Sequence, residues 1–510
     1  MKLRLLQRRN WQALAAVLAA LLPLASAPPP APAPGSGDKA LARRLRDILA
    51  SPDYQRGFWG VYVLSLDRQR VLFDQNGEHW FTPASNAKLF TLAAALHRLG
   101  GDYRFHTALE ATAAPDASGT VAGDLVWAGV GDPSLSGRPF PYRVDPPAPN
   151  LPFDPNLVPR RLAAQLAAHG VTHITGDIIG DDSYFAPDPY PRGWAIADMT
   201  WDYGAPVSAL TLNDNTRFLQ ILPGLTAGSA ARLQFSPALG APACDNQVTT
   251  TPAGSPSQVR LQPDPVSGVL HLTGQLALDS PGELEALAVA EPALFAAQLL
   301  RQALLAQGVT VDGSARARHI PPDAAVPAVE LAAWDSPPLA QILQATAKVS
   351  QNLEAELMLR ELGKLRGAAP TSAAGATVVR AFLQSAGLDA SDDAQVDGSG
   401  LSRLDLATPA GVVRLLATMA RAPAPEAADW QALFPVAGRD GTLEHRFRDS
   451  PESGRLLAKT GSLSHDNALS GYLTTRRGER LAFAMLSNNV NRPSDAVRDQ
   501  LDRLARALDP

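Results

Sequence analysis

Apolar and polar positions alternate over residues 58–66, the chain turns at Asp67-Arg68-Gln69, and the alternation resumes over 71–74. That pattern predicts a β-hairpin. Helical spacing precedes it over 39–49. After it, Leu89, Leu92, Leu96 and Leu99 recur at helical intervals up to Gly100-Gly101, so a helix is expected over 85–99. From Tyr103 to Ser336 the texture changes to short strand-like segments between Gly, Pro and Asp turns, at 124–127, 177–180, 218–221, 259–261 and 270–278. Only two helices stand out there, near 158–169 and 292–307. Helical spacing returns over 340–363, 371–386 and 409–419, and three strand-like runs follow at 455–463, 468–475 and 481–487. The chain closes on a helix over 494–508, with Val497, Leu501, Leu504 and Leu508 on one face. Its polar face is mixed in sign, which favours packing on a sheet over binding a membrane. The simplest assembly sets the early hairpin beside the three late strands in one antiparallel sheet, with the β-rich middle as an insertion.

Length and composition agree with that division. A chain of 510 residues exceeds one ordinary domain, and 45% hydrophobic with 19% charged residues is globular. The expected organisation is catalytic-domain segments 39–102 and 337–510 around inserted β-rich domains at 103–336. A net charge of -5 gives no basic surface for nucleic acid. Only six of the 45 basic residues are lysines, so a lysine in this arginine-preferring chain invites a chemical reason.

Lys2, Arg4, Arg8 and Arg9 form a basic n-region, residues 11–24 are apolar, and Ala25-Ser26-Ala27 is a cleavage site. Residues 1–27 therefore read as a signal peptide, with export to the periplasm and cleavage near Ala27. The apolar run is short for a span, so no stable membrane anchor is expected after cleavage. Residues 28–38 read as a proline-rich linker. Cys244 is the only cysteine, which excludes an internal disulfide.

Three short motifs carry the chemistry. In Ser85-Asn86-Ala87-Lys88, positions i and i+3 share a helix face, so the lysine amine can reach the serine hydroxyl. A serine is a poor nucleophile until a base takes its proton, and a desolvated lysine can be that base where arginine cannot. Ser350-Gln351-Asn352 places a hydroxyl and an amide two positions apart between helical stretches, suited to passing a proton and holding a substrate amide. Lys459-Thr460-Gly461-Ser462 lies on a strand-like run; Gly461 admits a substrate backbone, and Lys459 and Thr460 can bind a terminal carboxylate. Singly these are weak, since Ser36-Gly37-Asp38-Lys39 and Ser487-Asn488-Asn489 spell similar patterns. In order, separated by 265 and then 109 residues, they form a strong set.

The set resembles the S-x-x-K, S-x-N, K-T-G signature of penicillin-binding proteins and class A β-lactamases. Further likeness is to low-molecular-mass class C penicillin-binding proteins, the D-alanyl-D-alanine carboxypeptidase/endopeptidase family. It runs through Gly129-Val130-Gly131-Asp132-Pro133, Gly176-Asp177-Ile178-Ile179-Gly180-Asp181-Asp182 and Tyr203-Gly204-Ala205-Pro206-Val207-Ser208-Ala209-Leu210. It continues in Asn352-Leu353-Glu354-Ala355-Glu356, Asp397-Gly398-Ser399-Gly400-Leu401-Ser402-Arg403, Pro435-Val436-Ala437-Gly438 and Gly441-Thr442-Leu443. One departure is Gln351, where the family often has Asp.

The resemblance implies an α+β multidomain chain: a penicilloyl-serine transferase (β-lactamase-like) domain, its antiparallel sheet flanked by helices, interrupted by β-rich insertions. It implies Ser85 as nucleophile, Lys88 as base, Ser350 as proton relay and Asn352 as holder of the substrate amide. Lys459 and Thr460 would engage the terminal carboxylate, Gly461 would admit the substrate backbone, and the N–H groups of Ser85 and Ser462 would form an oxyanion hole. The implied partners are peptidoglycan stem peptides and, as covalent inhibitors, β-lactams; no cofactor or metal is implied. Two alternatives stay open: a β-lactamase using Glu354 or Glu356 as deacylating base, and a non-catalytic peptidoglycan-binding scaffold on the same fold. A Ser-His-Asp hydrolase is disfavoured by the missing G-x-S-x-G, and a metal hydrolase by the missing H-E-x-x-H.

Overall fold

A computed structural model of the chain describes residues 36–142, 154–264, 267–322 and 328–509. The expected signal peptide, its cleavage site and the expected linker up to residue 35 lie outside the described residues. A helix, Ser36–Leu49, begins inside the stretch read as linker. Its Asp38 is buried and pairs with Arg68 and Arg70 beside the hairpin, which fixes the helix start.

The two ends of the chain meet in one five-stranded sheet, in the order Leu456–Leu463, Asp466–Thr474, Arg480–Asn488, Phe58–Ser65, Arg70–Gln75. Every neighbouring pair is antiparallel, and Phe58–Ser65 pairs with Arg480–Asn488 along its whole length. Both faces are covered, which explains why the late strands read as nearly continuous apolar runs. On one face Val61, Val63, Phe483 and Met485 pack with Leu45 of the first helix and Val497, Leu501 and Leu504 of the last helix, Ser494–Ala507. On the other, Ala482, Ala484 and Tyr472 pack against a helical layer. Its central helix, Lys88–Leu99, buries Leu89, Leu92 and Leu96 among Leu343, Leu353, Leu357 and Leu416.

Helical spacing over 340–363 resolves into two helices, Leu339–Val349 and Asn352–Arg366. The break is Ser350, held at φ 61 in the left-handed region. That conformation costs a non-glycine residue about 1–2 kcal/mol, and the second motif sits on it.

Between the two halves of this module lie two further cores. The first surrounds a five-stranded mixed sheet with helices Leu157–Ala168 and Pro292–Ala306 packed on it. Parallel neighbours occur there: Leu125–Ala128 and Ala315–Arg318 both run parallel to Ile178–Asp181. The second core lies between two three-stranded sheets and contains Leu219, Ile221, Val248, Leu272 and Leu287. Among the described residues, no helix is long and apolar enough to cross a membrane.

Candidate active site

Ser85 stands on a single 3-10 turn, Ala84–Ala87, that leads into the central helix. The helix expected from Ser85 therefore starts as a tighter turn, and no side-chain cap closes it, so the Ser85 hydroxyl is left for other use. Two glycines make room for the turn. A Cβ on Gly400 would lie 1.9 Å from the Ala84 carbonyl oxygen, and one on Gly461 would lie 3.0 Å from that of Pro83. Gly461 thus brings the third motif against the first by close backbone approach.

Lys88 is fully buried, and its Nζ has three partners: Ser85 Oγ at 3.0 Å, Asn352 Oδ1 at 2.6 Å and the Ser399 carbonyl at 2.7 Å. The two carbonyl oxygens can only accept hydrogen bonds. A neutral amine has two N–H groups and one lone pair. It gives the N–H groups to Asn352 and Ser399, which leaves the lone pair for the Ser85 hydroxyl. Burial pushes the Lys88 pKa down to about 7, while the charges of Asp397 and Asp405 pull it the other way.

Lys459 is also buried, with Nζ 2.7 Å from Ser350 Oγ and 2.8 Å from the Thr460 carbonyl. Burial first, and then the charge of Lys88, hold its pKa well below the usual lysine range. Asn86 donates to the Lys459 carbonyl at 3.2 Å, tying the Ser85 turn to the strand. Thr460 Oγ1 lies 2.9 Å from Thr442 Oγ1, and Ser462 Oγ lies 3.0 Å from Asn467 Oδ1. All three motifs therefore converge, linked by hydrogen bonds. Gln351 is turned away to cap the following helix, its side chain accepting from Leu353 N–H at 2.9 Å.

Glu354 and Glu356 are engaged elsewhere. Glu354 accepts from Thr346 at 2.7 Å and faces Arg138, while Glu356 takes Arg360, Ser372 and the Gly398 N–H. Both are buried, and burial raises both pKa values.

Several partners in this site were given no role by the sequence, although Asp397, Ser399 and Tyr203 lie in segments that carry the family resemblance. Ser399 contributes only its carbonyl. Asp397 shapes that loop by accepting from the N–H groups of Ser399, Gly400 and Ser402. Trp194 donates to Asp397 at 2.6 Å, and the Tyr203 carbonyl accepts from Asn352 Nδ2 at 2.8 Å. Trp194 and Tyr203 belong to the inserted segment, which therefore reaches the second motif directly and the Asp397 loop beside Lys88. A backbone carbonyl has no residue type to recognise, and an isolated tryptophan gives no periodicity to read.

The chain is similar to known proteins along most of its length. A D-alanyl-D-alanine carboxypeptidase of Actinomadura sp. (strain R39) is 34% identical over 505 residues, covering 96% of this chain and 89% of the relative. The D-alanyl-D-alanine carboxypeptidase DacB of Haemophilus influenzae is 26% identical and covers 85% of each chain. The crystal structure of penicillin-binding protein 4 from Haemophilus influenzae superposes with a TM-score of 0.75 at 24% identity, covering 91% of this chain and 98% of that one. Residues 41–508 match the D-Ala-D-Ala carboxypeptidase 3 (S13) family, and the chain belongs to that family.

Proposed function

We propose that the protein is an exported, serine-type D-alanyl-D-alanine carboxypeptidase and D,D-endopeptidase. In this reading it acts on peptidoglycan stem peptides in the periplasm through an acyl-enzyme. The observation that carries it is the buried Lys88 amine, fixed by two carbonyl acceptors and 3.0 Å from Ser85 Oγ.

Lys88 takes the Ser85 proton as the oxygen attacks the penultimate D-Ala carbonyl. The N–H groups of Ser85 and Ser462 receive the developing oxyanion; each such donor is worth about 10²–10³ in rate. Asn352 spends one N–H on Tyr203 and keeps its second for the substrate amide. Ser350 gives its hydroxyl proton to the leaving nitrogen and takes one from Lys459, to which it is hydrogen-bonded. Water then attacks the ester, its proton restoring Lys459 while the proton on Lys88 returns to Ser85. In carboxypeptidase action the leaving group is D-alanine; in endopeptidase action it is the amine of a cross-linked peptide.

Two buried lysines this close do not both stay charged. The terminal carboxylate of the substrate, arriving at Lys459 and Thr460, favours the proton on Lys459 and so leaves Lys88 neutral. Substrate binding in this way prepares the base.

A β-lactam presents the same carboxylate and carbonyl, so it is expected to acylate Ser85 and deacylate slowly. The engagement of Glu354 and Glu356 in other bonds favours a peptidase over a β-lactamase. The test is incubation with a fluorescent penicillin beside Ser85→Ala, reading the adduct by mass. Stable labelling that vanishes in the variant supports the acyl-serine mechanism; absent labelling, or labelling elsewhere, refutes it and favours the scaffold alternative.

A further inference from the structure

Gly441-Thr442-Leu443 carries the family resemblance, yet the mechanism above gives it no part. These residues form a single 3-10 turn. Thr442 Oγ1 accepts from Thr460 Oγ1 at 2.9 Å, and both side chains are half-buried. Among the described residues Thr442 has no other hydrogen-bond partner. A hydroxyl holds one proton and two lone pairs. Thr460 spends its proton on Thr442, so the proton left over for a ligand is the one on Thr442. When a carboxylate arrives, two adjoining hydroxyls can give it one hydrogen bond each, where Thr460 alone gives one. Hydrogen bonds to an ionised acceptor are about twice as strong as those between neutral groups.

Three contacts hold the turn between the second and third motifs. Asp440 takes the Lys348 ammonium at 2.6 Å and the Val436 N–H at 2.7 Å. The Gly441 N–H donates to Tyr142 Oη at 3.3 Å. Gly441 itself sits at φ 56, and a Cβ there would lie 2.6 Å from the Lys348 carbonyl oxygen, so only glycine lets the turn come this close to the end of helix Leu339–Val349. Lys348 is buried, stands two residues before Ser350 and is one of the six lysines the chain keeps. Its ammonium neutralises Asp440, which would otherwise repel an anion at Thr442. On the other side Thr460 adjoins Lys459, whose Nζ meets Ser350 Oγ. Two hydroxyls therefore stand beside a lysine amine, with the nearest carboxylate already paired.

We propose that Thr442 is a substrate-binding residue: with Thr460 it clasps the terminal carboxylate of the substrate beside Lys459, and so sets the preference for a free carboxyl end. This rests on the acyl-serine function proposed above and adds to it a ligand from outside the three motifs.

The test compares acylation by a penicillin and by its methyl ester, which keeps the reactive lactam carbonyl and removes the negative charge. Second-order rates are read by mass for the unmodified protein, Thr442→Val and Thr442→Ser. Thr442→Val keeps the shape and deletes one hydroxyl. It should slow the free acid at least about fivefold and leave the ester within about twofold. Thr442→Ser, which restores a hydroxyl, should recover the parental preference for the acid. With a peptide ending in D-alanyl-D-alanine, the loss in Thr442→Val should appear as a KM raised at least about fivefold, with kcat within about twofold. A purely structural role predicts acid and ester slowed alike, and that result overturns the proposal. An unchanged acid rate, a loss confined to kcat, or Thr442→Ser behaving as Thr442→Val overturns it too. Absent acylation of the unmodified protein by the free acid refutes the acyl-serine reading and this inference with it; acylation with the wrong pattern refutes this inference alone.

Discussion

Acylation of Ser85 should fall in acid with an apparent pKa near 7. Lys88 is the origin: desolvation brings its amine down to about 7 despite the opposing charges of Asp397 and Asp405. Only the neutral amine can accept the serine proton. Its neutral fraction is about one half at pH 7, one tenth at pH 6 and one hundredth at pH 5, so the rate should drop roughly 50-fold from pH 7 to pH 5. Below pH 6 the slope of log rate against pH should approach one, and above pH 8 the rate should level off. The assay is the second-order acylation rate with a fluorescent penicillin in quenched-flow, at constant ionic strength, over pH 5 to 9. Protein unfolding is excluded by returning acid-incubated samples to pH 8 and recovering full activity. Lys88→Arg is the control, because a guanidinium stays protonated at every pH used and should give no acylation limb at all. A rate flat from pH 5 to pH 8, or Lys88→Arg retaining the parental profile, would refute the assignment of Lys88 as base.

Asn352→Asp places a carboxylate where the Lys88 amine now meets a neutral oxygen at 2.6 Å. It should raise the apparent pKa of the acylation profile by at least about one unit. Gly461→Val presses a branched side chain on the turn of Ser85, where even a Cβ meets the Pro83 oxygen at 3.0 Å; acylation should fall by about tenfold or more while the circular dichroism spectrum stays parental. Trp194→Phe removes the 2.6 Å bond to Asp397 and should lower unfolding free energy by about 1.5–3 kcal/mol, read from the denaturant midpoint at unchanged slope.

What could be read from the sequence follows physical rules. The five-stranded sheet was legible because its strands are long, alternate or run apolar, and lie in two groups at the ends of the chain. Helix 494–508 was legible through Val497, Leu501 and Leu504, which do pack on that sheet. The parallel pairing of Leu125–Ala128 with Ile178–Asp181 was not, because strands of four residues carry too few alternations to assign a direction. In the site, Ser85, Lys88, Ser350, Asn352 and Lys459 were legible as side chains whose chemistry needs that residue type. The Ser399 and Tyr203 carbonyls were not, since any residue supplies a carbonyl and only the fold decides where it points.

Those two carbonyls nevertheless decide how the site works. An asparagine amide can be seated either way round, and its two ends are opposite in hydrogen-bonding sense. With Oδ1 toward Lys88, the lysine donates and keeps its lone pair for Ser85. With Nδ2 toward Lys88, a donor would face the amine, the lone pair would be taken up, and Ser85 would lose its base. The Tyr203 carbonyl accepts only, so it draws Nδ2 to itself and fixes the productive orientation. Trp194, on the same segment, braces Asp397, whose backbone bonds hold the Ser399 carbonyl against the second N–H of Lys88. The segment between the first and second motifs is thus more than an addition to the fold: it supplies the constraint that, in the proposed mechanism, leaves Lys88 able to accept the serine proton.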